Sequence, residues 1–197
     1  MKLKIKELYK YLINYTSIKF SDSLKNYNVI LDIGCGEGEF ISRLAYQYPK
    51  KKFIGIEIKY GRILKCLKKA RALNLSNLGF VISDATIFID KALPDKSINK
   101  IFINNPDPWP KDKHHKNRLL NSDFIRMLHR KLKRKGNVYI KTDDINYFKY
   151  IKVNVNNSNF TKDDTKSYID LFLPSTKFQE FYKKNNKPIY SMKLLKK

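Results

Sequence analysis

Cysteine is scarce, with two residues, Cys35 and Cys66, in the whole chain. That is neither a disulfide framework nor a metal motif, and both are expected to be reduced small hydrophobes. Histidine is nearly as sparse. His114 and His115 are sequence neighbours without partner ligands at metal spacing, so no metal is expected, and His129 in its basic stretch reads as structural. Long apolar runs are missing too: a stretch such as Val29 to Ile33 is far too short to cross a bilayer. The first fifteen residues alternate lysine with apolar side chains and hold no continuous hydrophobic region, which does not read as a secretory signal. A cytoplasmic protein with no membrane partner is the expectation. There is no repeat, no low-complexity block and no clear linker.

Acidic residues are the other shortage. Eighteen Asp and Glu face 41 Lys and Arg, for a formal charge of +23. Such an imbalance costs self-repulsion that a polyanion, nucleic acid above all, would relieve. A lysine-, asparagine- and isoleucine-rich codon bias is the competing source of part of that charge. Apolar residues at 42% and aromatics at 13% are enough for a core and argue against disorder.

What is present has a clear order. Val29 to Ile33 is a buried-strand pattern ending in glycines, and Glu39 to Tyr48 follows with helical spacing until Pro49. Phe53 to Ile58 reads as a second strand, residues 61–73 as a helix, Phe80 to Ile82 as a third strand and Ile98 to Ile103 as a fourth. Phe124, Leu128 and Leu132 mark a helix closed by Gly136; then come a strand at Val138 to Ile140 and a helix from Asp144 to Val155. Residues 156–172 are polar and irregular, with no strand assigned, and the tail resumes as a helix around 175–185 and a strand from Pro188 to Leu195. Alternating strands and helices predict an α/β, doubly wound, mostly parallel sheet. Residues 28–197 are expected to form one domain behind a basic segment, 1–27, read as a packed amphipathic helix through Leu8, Leu12 and Tyr15, with a mobile arm as the alternative.

The first strand runs into Leu31-Asp32-Ile33-Gly34-Cys35-Gly36-Glu37-Gly38-Glu39-Phe40. In a doubly wound sheet this loop lies at the carboxyl edge, where nucleotides bind. The dinucleotide pattern G-x-G-x-x-G fails, because Glu39 holds its third position and Gly38 comes one residue early. An acid at a helix start also disfavours a pyrophosphate. A cationic ligand without phosphate, S-adenosylmethionine, fits better. Asp32 is a candidate for its amino group, Glu57 at the end of strand two for its ribose hydroxyls, and Asp84 after strand three for its adenine amine.

The stretch Asn105-Pro106-Asp107-Pro108-Trp109-Pro110-Lys111, continuing through His114, His115 and Arg118, resembles the signature of the bacterial-type tRNA (guanine-N7)-methyltransferases. The resemblance extends to Lys141-Thr142-Asp143 and to the tail from Thr176 to Pro188-Ile189-Tyr190, and covers roughly residues 28–195. It implies a Rossmann-like sheet of seven strands with an antiparallel final strand, S-adenosylmethionine as donor, and guanine 46 of the tRNA variable loop as acceptor. By motif position it implies that Asp32, Gly34, Gly36, Glu57, Asp84 and Asp107 line the donor site and that Asp107 is catalytic. It further implies that Lys111, Asp143, Thr176, Lys177, Phe178 and Gln179 meet the tRNA, in a protein acting as a monomer or homodimer. Gln179 stands where the family's tail motif has glutamate, with Glu180 next, and the segment before the glycine loop is short for the family.

The chemistry suits these residues. Guanine N7 carries a lone pair and no proton, so it needs positioning and charge support rather than a general base. A carboxylate such as Asp107 can accept paired N–H donors of the guanine Watson–Crick edge. Lys111, Lys113, Lys116 and Arg118 are expected to meet phosphates. Trp109 is expected to be a half-buried packing residue, with stacking on a splayed base as the alternative. An amino-methyltransferase would carry Asn-Pro-Pro-aromatic here, and Asp107 interrupts that pattern. A catalytically dead RNA-binding subunit is the rival from another class, and the intact set of acids argues against it.

Overall fold

The computed structural model describes residues 5–15, 28–163 and 173–197. Its centre is β1 (Val29–Ile33), every residue of which is buried. A strand buried on both faces requires apolar side chains in both alternating sets, which is why this run is continuous rather than alternating. Beside it lie β2 (Lys52–Glu57) and β3 (Leu78–Ile82) on one side and β4 (Ile98–Asn104) and β5 (Leu132–Thr142) on the other. β6 (Thr161–Asp163) and β7 (Tyr190–Leu195) complete a seven-stranded sheet of order β3-β2-β1-β4-β5-β7-β6. β1 to β5 are parallel, and β7 runs antiparallel to both β5 and β6. This is the doubly wound sheet with an antiparallel final strand that the sequence predicts.

Helices cover both faces. α1 (Ile5–Tyr9), α2 (Glu39–Gln47) and α3 (Tyr60–Ala72) share one core, in which Ile30, Phe53, Phe80 and Phe102 of the sheet meet Ile41, Leu44, Ile63 and Leu67. α4 (Ala85–Ala92), α5 (Ser122–Lys131) and α6 (Ile145–Asn156) cover the opposite face, where Leu31, Ile56 and Ile103 meet Phe88, Leu128 and Ile151. α7 (Lys177–Lys184) precedes β7. No described helix is long and apolar enough to cross a membrane.

Four details depart from the sequence reading. α4 lies where no helix was assigned; Asp84 caps it, its carboxylate accepting from Ile87 N–H at 3.1 Å. α5 ends at Lys131 rather than at Gly136, and Gly136 lies inside β5. What closes α5 is distant in sequence: the Lys196 ammonium donates to the carbonyls of His129 (2.7 Å) and Leu132 (2.8 Å), the cationic partner a helix end favours. β6 falls in the polar stretch left without a strand; at three residues it is too short for an alternation to show. Finally, α1 is brief. Leu8 and Tyr11 are buried, but residues 11–13 are extended along β3, with Phe80 N–H donating to the Tyr11 carbonyl and Ile13 N–H to the Phe80 carbonyl.

Gly55 marks the tightest approach within the sheet. A Cβ there would lie 2.6 Å from the Phe80 ring and 2.9 Å from Cys35 Sγ, and Phe80 is fully buried. Gly55→Ala is expected to destabilise the fold by about 1–3 kcal/mol through overpacking. Urea denaturation checks this: the midpoint should fall with an unchanged slope, and an unaltered midpoint would refute the packing.

Candidate active site

The strand order turns back between β1 and β4, and the loops that follow β1, β2, β3, β4 and β5 meet at that carboxyl edge. Gly34 and Gly36 open the first loop with φ of +71° and +58°. Side chains rarely tolerate this backbone, and here the glycines have a second use. A Cβ on either would meet nothing within 4 Å, so the loop borders open space. Its underside is pinned: Gly34 and Cys35 N–H groups share the Ile56 carbonyl at 2.9 Å, and Cys66 Sγ donates to the Gly36 carbonyl at 3.2 Å. Both cysteines are free and buried. Glu37 pairs with Lys65 at 2.5 Å and Glu39 with Lys69, so α3 lysines offset the loop's negative charge. Lys69 and Arg43 beside Glu39 thereby offset much of the repulsion its carboxylate would exert on a pyrophosphate.

Asp32 sits at 2% exposure near the end of β1. Burial pushes its carboxyl up to about 7. The Asn104 amide beside it lowers it and the Glu57 charge raises it further. Among the described residues, no acceptor stands in full hydrogen-bond geometry to Asn104 Nδ2. Glu57 is buried as well, at 5% exposure, and remains well solvated by protein: it accepts from Gly36 N–H (3.1 Å), Lys59 N–H (2.9 Å) and the Arg62 guanidinium (3.4 Å). A carboxylate has about four acceptor positions, so Glu57 is as much the strut of the glycine loop as a ligand group. Asp84 is exposed and spends one oxygen on the α4 cap. Nearby, Tyr15 and Ser83 hydroxyls lie 3.2 Å apart.

Across the reversal, β4 ends in Asn104 and Asn105. Asn105 has φ of +50° and Trp109 of +45°. Non-glycine residues held in this region cost of order 1 kcal/mol each and concentrate at functional sites. The loop between them carries Asp107, exposed between Pro106 and Pro108. Trp109 is half-buried and meets His114 edge-to-face at 5.6 Å. Lys111, Lys113 and Lys116 are exposed along and beside the 3₁₀ turn Asp112–Asn117. Arg118 is not among them, which corrects its expected phosphate role. It is 6% exposed, donates from Nε to the Pro108 carbonyl at 2.9 Å and lies over the rings of Tyr147 and Tyr150. Its planar guanidinium stacks where a lysine could not, and it braces the Asp107 loop from below.

Asp143, at the end of β5, joins this group. Its carboxylate accepts from Asn105 Nδ2 at 3.0 Å and from the Tyr182 hydroxyl at 2.5 Å. Thr176 is partly buried just ahead of α7, its carbonyl accepting from Glu180 N–H at 3.0 Å. Lys177, Phe178 and Gln179 form the first turn of α7, and their side chains lie outside the described residues. Two clusters therefore share one sheet edge: Asp32, Glu57 and the glycine loop, and the Asp107 loop with Asp143. Asn104, beside Asp32, stands between them. Asn104 and Tyr182 do not stand out in the sequence, Asn105 does so only as the first residue of the motif, and Arg118 reads there as one more phosphate contact. Asparagine's tolerance of left-handed backbone at a strand end was the one available signal. Among the described residues, no group of His, Cys, Asp and Glu could hold a metal ion.

A family model described as "Putative methyltransferase" matches residues 26–192. A Pediococcus pentosaceus protein named tRNA (guanine-N(7)-)-methyltransferase is 32% identical over 86% of this chain and 82% of its own. Thermotoga maritima and Buchnera aphidicola proteins of the same name are 34% and 39% identical, over 68% and 62% of this chain. The chain spans about half the length of those two, 46% and 52%. Among solved structures, the 16S rRNA methyltransferase KamB superposes with a TM-score of 0.65 at 11% identity, over 91% of this chain and 93% of that one. An antibiotic-related methyltransferase superposes with 0.63 at 20% identity, over 93% and 94%. These two likenesses speak to the fold alone.

Asp32 generates a prediction with a definite sign. Its folded value near 7 exceeds the unfolded 3.8, so the folded state binds the extra proton and stability falls as pH rises from about 4 to 7. Asp32→Asn removes that cost. The variant should gain stability over the parent at pH 8, by up to about 4 kcal/mol, and the gain should vanish near pH 4. Chemical denaturation at the two pH values checks it; a variant equally destabilised at both would contradict the buried titration.

Proposed function

The chain belongs to this methyltransferase family, and from that premise we propose that it transfers a methyl group from S-adenosylmethionine to N7 of a guanine in tRNA, with guanine 46 of the variable loop as acceptor. One observation carries the reading. Asp107 stands exposed on a loop braced at both ends, at the strand reversal that also holds the glycine loop. The named relatives support the substrate class.

The residues present suit the donor. The space above Gly34 and Gly36 admits a ligand against bare backbone. Asp32 is a buried carboxylate whose desolvation a ligand ammonium would offset, and Asn104 Nδ2 is a buried donor with capacity to spare. Asp32 would hold the amino group, Glu57 a ribose hydroxyl and Asp84 the adenine amine. When bound, the donor supplies a sulfonium methyl that a lone pair can attack in line.

The chain's own work is positioning. Asp107 accepts the adjacent N–H groups of the guanine edge and so orients N7, and its charge favours the cationic product. Prolines on both sides keep that carboxylate from turning away. Lys111, Lys113 and Lys116 hold backbone phosphates, and Asp143 and the segment from Thr176 to Gln179 complete the tRNA contact. Residues 28–197 act as one methyltransferase domain, with the preceding basic segment 1–27 packed on its edge at residues 5–15.

Asp107→Asn should reduce turnover by 10²–10³, or about 2–4 kcal/mol, at saturating donor, while circular dichroism and melting stay unchanged. Nucleoside mapping of methylated tRNA transcript reads it; 7-methylguanosine formed at the parent rate overturns the assignment. Neutralising Lys111, Lys113 and Lys116 should flatten the log–log salt dependence of tRNA binding by roughly 0.7–0.9 per lost phosphate contact. Filter binding across a salt series measures this, and an unchanged slope would make the run a solvated loop. Arg118→Gln should instead lower stability.

A further inference from the structure

Asp143 is shared by two parts of the site. On one side is Asn105, the residue at which β4 turns into the Asp107 loop. Asn105 donates its backbone N–H to the Lys141 carbonyl at 2.8 Å and its side-chain amide to Asp143 Oδ1 at 3.0 Å. On the other side is Tyr182 of α7, whose hydroxyl donates to Asp143 Oδ2 at 2.5 Å. α7 begins with residues 177–179. One carboxylate thus ties the loop that carries Asp107 to the helix that carries the tail segment.

The tie matters because α7 has little else described to hold it. Eight residues are too few for a helix to persist alone. Glu180 and Lys184 are exposed, and Phe181 is 55% exposed. The Arg43–Glu180 pair, at 3.6 Å, is a surface ion pair of the kind that contributes little. The Asp143 bonds are of the stronger, charge-assisted kind. Burial pushes the Asp143 carboxyl up, yet the bonds from Tyr182 and Asn105 outweigh it and hold the group below its ordinary value. The same bond pushes the Tyr182 phenol up.

We propose that Tyr182 and Asn105 are positioning residues that act through Asp143, latching α7 to the Asp107 loop so that the tRNA-contacting tail and the catalytic carboxylate meet the substrate in one fixed relation. This rests on the reading of the site as a tRNA methylation centre. It assigns Asp143 a structural task in addition to any contact with tRNA. A displacement of about 1 Å at such a centre can cost up to 10²-fold in rate. Tyr182→Phe keeps the ring and removes the bond, so its effect isolates the latch.

The test uses the full chain, with Tyr46→Phe, an exposed tyrosine on α2, as the control. Tyr182→Phe should lower kcat for tRNA methylation about tenfold, with S-adenosylmethionine affinity by calorimetry and the melting temperature matching the control. In an Asp143→Asn background the same substitution should cost nothing more, because both act through one carboxylate. Independently of activity, ¹³C-tyrosine NMR should show a Tyr182 phenol that titrates above the exposed tyrosines and returns toward them in Asp143→Asn. The latch is overturned if Tyr182→Phe matches the control in kcat, if its loss adds fully to that of Asp143→Asn, or if the Tyr182 resonance ignores Asp143→Asn. A parent chain that yields no 7-methylguanosine while the NMR coupling persists refutes the functional reading and leaves the tie between the two elements standing.

Discussion

The reversal of strand order between β1 and β4 is the constraint from which the rest of the site follows. Helices on either side of it lie on opposite faces of the sheet, so no described helix covers the strand ends at that point. β1 can occupy the centre because four of its five residues are apolar, Asp32 being the exception. That exception is informative. A carboxylate buried to 2% exposure and pushed up to about 7 is a poor structural choice. The cationic donor proposed for this edge would offset that cost.

Glu57 plays the complementary part. It too is buried, yet its charge is met by two backbone N–H groups and a guanidinium. The two acids are neighbours at one sheet edge and differ only in what surrounds them. One holds the glycine loop in shape, and the other is left under-compensated. Across the reversal the same logic governs the Asp107 loop: Arg118 braces one end, the Asn105–Asp143 pair the other, and Asp107 itself remains open to solvent. Stiff supports around an uncommitted charge are what positioning chemistry needs.

The large positive charge also divides into distinct uses. Lys131 donates to the Asp90 and Leu93 carbonyls at the end of α4, Lys196 to those of His129 and Leu132 at the end of α5, and Arg118 stacks on two tyrosines. Lys65 and Lys69 face the acids of the glycine loop. These cations serve the fold, so net charge overstates the surface offered to a polyanion. Lys111, Lys113 and Lys116 are exposed beside the Asp107 loop, where the proposed phosphate contacts would form.

Much of this was legible in the residues alone. The continuous apolar run of β1, the glycine spacing after it and the Pro-Asp-Pro-Trp segment are local patterns, and local patterns report the nearest layer of packing and the backbone's own preferences. Parallel strands, the glycine loop and Asp107 on a loop after strand four could all be read from them. The end of α5 could not, because its closing cation arrives from Lys196, beyond β7. Arg118 looked like its basic neighbours, since sequence records charge and not burial. The pairing of Asn105 and Tyr182 on Asp143 joins residues 38 and 39 positions apart. Such bonds depend on where separate elements come to rest on the sheet, and only the tertiary structure decides that.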